Sequence, residues 1–138
     1  MSSYNLFVYG TLMWPEVVQA ILGHPVASED ALLKGFKRCR MKGVLYPGLK
    51  RDQASSVKGK LLRGLTDEDL QRLDKFEGDE YERISTEVQT RQGQVEAYVY
   101  LTKEEFLDNL EDIPWYEEDI SEAERRLFLK GEDIDFLG

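Results

Sequence analysis

The chain has 138 residues, with 27 acidic against 18 basic side chains, a formal net charge of −9 and a sequence pI near 4.7. That length suits one domain with an ordinary hydrophobic core and no need of metal or disulfide staples. The acidic balance lacks the clustered Lys and Arg of a nucleic-acid binder and disfavours anionic membranes as partners.

A single cysteine, Cys39, allows no internal disulfide, and the start Met1-Ser2-Ser3-Tyr4-Asn5 lacks the basic and apolar regions of a signal peptide. No apolar run approaches the roughly 18 residues of a membrane-spanning helix. The expected setting is therefore a soluble, reducing one, most simply cytoplasmic. One histidine, His24 between Gly23 and Pro25, leaves no visible metal-ligand cluster or nucleophile–base pair.

In chain order, Leu6 to Tyr9 is nearly continuous apolar, the pattern of a strand buried on both faces. It stops at Gly10-Thr11-Leu12. A strand ending in glycine leaves main-chain N–H groups without ladder partners and lets a ligand come close to them, which suits an anion or a carbonyl. Pro15 then opens a short helix carrying Val17, Val18 and Ile21, with Gly23 as its stop, and the positive end of that helix lies in the same neighbourhood. Ala31 to Lys42 predicts a long, partly exposed strand. Pro47-Gly48, inside Val44 to Leu49, predicts a type II turn. Val57 to Leu65 reads as a strand whose Gly59 and Gly64 mark a bend or a close backbone approach.

Thr66 with Asp69 predicts an N-cap ahead of Leu70, Leu73 and Phe76, and Gly78 ends that helix. Arg83 to Thr90 and Val95 to Leu101 alternate about a turn near Gly93 and predict an antiparallel hairpin. Thr102 with Glu105, and Ser121 with Glu124, carry the capping-box spacing and predict two helices in an acidic, mostly helical C-terminal third. Strands in mixed order with peripheral helices predict an α+β fold, with a tightly curved sheet or small barrel.

Leu70, Leu73 and Glu77 fall at i, i+3 and i+7, which puts a carboxylate on the apolar face of the second helix. Asp67, Glu68, Gln71 and Lys75 already supply the polar face. Burial would raise the pKa of Glu77 and make it a proton acceptor near neutral pH. The competing reading is a side chain frayed outward at the helix end beside Gly78.

Tyr9-Gly10-Thr11-Leu12, Tyr46-Pro47-Gly48, and Leu73-Asp74-Lys75-Phe76-Glu77-Gly78 followed by Tyr81-Glu82-Arg83 occur in this order over the first hundred residues or so. Together they resemble the γ-glutamylcyclotransferase-like superfamily, closest to its branch of γ-glutamylamine cyclotransferases and AIG2-like proteins. The resemblance implies a small mixed β-barrel with flanking helices; one domain is expected over 1–138, and its helical acidic extension from about 103 matches nothing in the family's pattern. It implies a substrate loop at Tyr9, Gly10, Thr11 and Leu12, and Glu77 as the catalytic acid/base. The implied substrate is a small γ-glutamyl amine, dipeptide or related amide, cyclised to 5-oxoproline with release of an amine and with no cofactor.

Around that core, Tyr46 is a candidate pocket wall against a packed turn aromatic. Tyr81 is a candidate donor into the pocket against a plain strand-start aromatic. Tyr98 and Tyr100 share one strand face that could point inward or outward. Arg83 reads as a surface partner of Glu82 or Asp79, Cys39 as a half-buried strand residue and His24 as loop chemistry. Glu117-Glu118-Asp119 reads as solvated surface, and Trp115 with Tyr116 as an anchor for the tail. Two other functional classes stay open: a pocket that binds γ-glutamyl ligands without turnover, and an acidic scaffold acting through its C-terminal third.

Overall fold

The computed structural model describes residues 3–44 and 46–115. In chain order these form β1 (Tyr4–Val8), a 3₁₀ turn (Thr11–Met13), α1 (Pro15–Leu22), β2 (Ser28–Met41), β3 (Pro47–Leu65), α2 (Asp67–Glu77), β4 (Tyr81–Thr90), β5 (Gly93–Thr102), a 3₁₀ segment (Glu104–Asn109) and β6 (Leu110–Pro114). The strands make one mixed sheet in the order β3-β1-β5-β4-β2-β6, and β2 also pairs with β3, so the sheet curls back on itself. β1 lies between β3, antiparallel, and β5, parallel.

β1 is buried on both faces, as its unbroken apolar run predicts. Leu6 and Val8 join a cluster with Val17, Val18, Leu22, Leu70, Leu73 and Phe76, on the side covered by the two helices. Phe7 and Tyr9 point to the other side, among Leu33, Phe36, Leu49, Leu61, Val88 and Val99 inside the curl of the sheet. Period-two alternation along one strand thus feeds two cores, and the strand's end emerges between them.

The helices obey their local signals. Pro15 occupies the first turn of α1, and Gly23 caps it in the left-handed region at φ 81°. The Thr66 side chain accepts from the Asp69 N–H while the Asp69 carboxylate accepts from the Thr66 N–H, a reciprocal box at the start of α2. His24 reaches the same carboxylate, Nε2 to Oδ1 at 2.9 Å, and so ties the end of α1 to the start of α2.

Three sequence expectations are corrected. Pro47-Gly48 is not a turn: both residues open β3, opposite Arg40 and Cys39. The reversal comes earlier, where Val44 N–H donates to the Met41 carbonyl and Gly43 takes φ 76°. Gly48 is required for another reason, since a Cβ there would collide with the Leu110 side chain and lie 2.7 Å from Thr102 Oγ1.

Thr102 does not cap a helix. Its hydroxyl accepts from Leu49 N–H at 3.0 Å, the Glu104–Asn109 segment is 3₁₀, and Leu110–Pro114 is a strand on β2, so this stretch is not mostly helical. Arg83 turns away from Glu82 and Asp79 and grips Asp74 of α2 with Nε and Nη2, at 2.9 and 3.1 Å. The predicted helix after Ser121, and Tyr116, lie outside the described residues.

Candidate functional site

β1 ends at Val8, and the chain turns at Gly10 into the short 3₁₀ turn that precedes α1. Met13 N–H closes that turn on the Gly10 carbonyl at 2.9 Å. A turn this short has no earlier carbonyl for its first donors, and none of the described residues accepts a hydrogen bond from the N–H groups of Gly10, Thr11 or Leu12. Gly10 is fixed as glycine by the Pro47 ring, whose Cδ and Cγ would lie 2.8 and 2.9 Å from an added Cβ.

Beside this loop is a narrow cavity of about 20 Å³, partly open to solvent. Tyr9, Gly10, Thr11, Leu12, Tyr46, Glu77 and Tyr81 all line it, joined by Phe7, Val8, Pro47 and Tyr100. The seven residues singled out in the sequence therefore share one cavity, although 68 positions separate Tyr9 from Glu77. Glu77 keeps part of its surface exposed and is one of the residues that line the cavity. Loss of hydration there, with the nearby Asp74 charge adding to it, raises its pKa from 4.5 to about 8.

The four cavity tyrosines have their protons assigned by their partners. Tyr9 hydroxyl donates to the Tyr100 carbonyl at 2.6 Å and Tyr81 hydroxyl to the Pro47 carbonyl at 2.8 Å. Tyr46 donates to Glu80 at 3.3 Å and Tyr100 to Asp74 Oδ1 at 2.7 Å. Burial pushes all four pKa values upward, that of Tyr46 to about 12, with neighbouring carboxylates adding to the shift. Each hydroxyl is thus protonated at neutral pH with its proton already committed, and each oxygen can only accept from a ligand. This corrects the expectation for Tyr81, which lines the cavity but gives its proton to the protein.

The lining thus combines residues whose main-chain N–H groups lack a protein partner, suited to a carboxylate or carbonyl, with tyrosines and a carboxyl-bearing residue, suited to an ammonium or amine. Tyr100, on the strand face it shares with Tyr98 and left undecided between inward and outward, lines the cavity, while Tyr98 stacks under the Arg83 guanidinium, 4.5 Å from the ring centroid. Asp74 went unnoticed in the sequence, because its bond with Tyr100 spans 26 positions; the only local signal was its i, i+3 step to Glu77. Among the described residues no group of three or more His, Cys, Asp or Glu is placed to hold a metal ion, and no helix is long and apolar enough to cross a membrane.

Comparison with known proteins points the same way. The family model described as "Gamma-glutamyl cyclotransferase, AIG2-like" matches residues 6–120. "AIG2-like protein C" of Arabidopsis thaliana is 43% identical over 108 residues, 75% of this chain and 63% of that protein. The chain spans about three fifths to two thirds of the length of the first few curated relatives it matches. A solution structure from Arabidopsis thaliana superposes with a TM-score of 0.74 at 30% identity, over 86% of this chain and 73% of that one. A structure named gamma-glutamyl cyclotransferase gives 0.66 at 21% identity, over 80% and 69%, a likeness of fold. The family model and the sequence match together place this chain in the gamma-glutamyl cyclotransferase, AIG2-like family.

Proposed function

We propose that the protein is a γ-glutamyl cyclotransferase, releasing 5-oxoproline and a free amine from a small γ-glutamyl amide. The observation that carries this reading is that Glu77, whose carboxyl pKa is pushed up to about 8, and the three residues with unpaired main-chain N–H donors line one cavity. The reaction is intramolecular: the substrate's α-nitrogen attacks its own γ-carbonyl carbon, forming the ring C–N bond and breaking the bond to the leaving amine. No nucleophile from the protein enters it.

The donors of Gly10 to Leu12 hold the α-carboxylate or the developing oxyanion, and the tyrosine oxygens hold the α-ammonium, so that the substrate is bent towards itself. Well-oriented intramolecular reactions gain roughly 7–11 kcal/mol from such positioning. Glu77, ionised, takes a proton from the α-ammonium, and protonated, gives it to the departing nitrogen. A group titrating near neutrality serves both directions, a role typically worth about 10²–10⁴-fold. The α-nitrogen gives up two protons on becoming the lactam N–H: Glu77 relays the first in this way and the second once the ring C–N bond has formed, so the leaving group departs as an ammonium and the carboxylate is regenerated.

Incubation with glutathione, γ-glutamyl-alanine and γ-glutamyl-lysine, with 5-oxoproline as the product measured, tests the reading. Turnover of at least one compound is expected, with a loss of about 10²–10⁴-fold in Glu77→Gln. Tight binding of these compounds without product would point to a ligand-binding module, and an unaltered rate in Glu77→Gln would remove the acid/base role.

A further inference from the structure

The Tyr9–Gly10 peptide carries one of the three unpaired donors, and its orientation is set from outside the cavity. Arg38, half-buried on β2, donates from Nη1 to the Tyr9 carbonyl at 2.8 Å and to the Lys58 carbonyl at 3.3 Å. Its guanidinium also lies over the Trp115 ring, 5.3 Å from the centroid, with Trp115 itself buried. Two carbonyls and an aromatic face thus fix a planar group whose donors sit in a rigid fork. Arg38 is not among the residues that line the cavity.

A trans peptide holds its C=O and the following N–H on opposite sides, and none of the described peptide bonds is cis. With the Tyr9 carbonyl drawn outward to Arg38, the Gly10 N–H is turned the other way. Gly10 has no Cβ to resist a peptide flip, and its next neighbours belong to a turn rather than a ladder, so backbone sterics alone do not select this orientation. We infer that Arg38 is a positioning residue, which locks the Tyr9–Gly10 peptide with its N–H facing the cavity and so keeps the anion-binding loop assembled. The inference deepens the proposed cyclotransferase reading and rests on it for its catalytic consequence.

The test compares wild type, Glu77→Gln, Arg38→Met and Arg38→Lys on whichever of the three γ-glutamyl compounds the wild type turns over. Arg38→Met is expected to lower kcat by about 10- to 100-fold, short of the loss for removing an oxyanion donor outright, with KM changed by less. Arg38→Lys, which keeps one donor for the Tyr9 carbonyl, is expected to fall between the two. A second readout needs no turnover: in ¹⁵N-labelled protein titrated with 5-oxoproline, the Gly10 amide proton should shift downfield in wild type and not in Arg38→Met. If Arg38→Met fails to fold, Arg38→Lys and the Gly10 amide shift carry the comparison. An inactive Glu77→Gln beside Arg38 variants with wild-type kcat and an unchanged Gly10 shift would overturn the role of Arg38 alone. Failure of Glu77→Gln to lose activity would overturn the acid/base role of Glu77, and absence of wild-type turnover on all three compounds would overturn the cyclotransferase assignment, with the amide shift still reporting on Arg38 in either case.

Discussion

A carboxyl group held near pKa 8 inside a folded chain makes that fold sensitive to pH. Glu77 titrates near its ordinary value of 4.5 when unfolded and is pushed up to about 8 when folded, so between these values the folded state keeps a proton that the unfolded state has released. Its contribution is neutral below about 4.5 and increasingly destabilising as pH rises towards 8, on the order of a few kcal/mol in all. Glu77→Gln keeps the shape and removes the titration. Urea unfolding at pH 5 and pH 8 should therefore show the variant gaining on the wild type at the higher pH; parallel behaviour would mean that Glu77 is well hydrated. Tyr100 offers a separate check. Its proton is committed to Asp74, itself held by Arg83, so Tyr100→Phe deletes an acceptor facing the cavity while the Asp74–Arg83 pair persists. Loss of one hydrogen bond to a charged group is worth about 1.5–3 kcal/mol, so KM should rise by about 10-fold or more with kcat less affected.

At the level of elements, the close approach of β1 and β3 leaves no room for a side chain at Gly59. An added Cβ would strike the Val8 carbonyl oxygen and come within 2.7 Å of Phe7 Cζ. Neither a ladder carbonyl nor a fully buried ring can move aside cheaply, so Gly59→Ala should cost about 1–3 kcal/mol, read as a lower denaturation midpoint. The sequence had marked this glycine correctly, as a bend or a close approach. Both helices and the β4–β5 hairpin were legible too, because their signals are local: Pro15 and Gly23, the Thr66–Asp69 box, and alternation on either side of Gly93. What misled were residues whose partners lie far along the chain. Pro47-Gly48 has turn chemistry, but pairing with Arg40 and Cys39 makes it strand, and the Thr102 hydroxyl serves Leu49 instead of its own helix. The candidate site divides the same way. Glu77 and the Gly10 loop were visible from periodicity and a broken apolar run, whereas Asp74, Tyr100 and Arg38 act through contacts that only the curled sheet creates.

At the scale of the whole molecule, the stretch after β5 bears on the cavity without lining it. Leu110 packs on Gly48 and against the cluster that contains Tyr46, Tyr81 and Met41, and β6 pairs with β2 at Cys39 and Met41. Gly48 is the neighbour of Pro47, the cavity wall that also fixes Gly10 and accepts from Tyr81. Removing this stretch would expose Met41, take away the Leu110 side chain and the buried Trp115, and leave Arg38 without its aromatic face. Each large apolar group lost from the interior is worth about 1.5–3 kcal/mol. Two truncations separate the contribution of 104–115 from that of everything beyond it: one chain ending at Lys103, the other at Trp115. The chain ending at Lys103 should have the lower melting temperature and the lower kcat/KM for 5-oxoproline release, even though every cavity-lining residue is still present. Equal melting and equal activity in the two would make this segment a detachable appendage, and the Pro47 wall independent of the strand that backs it.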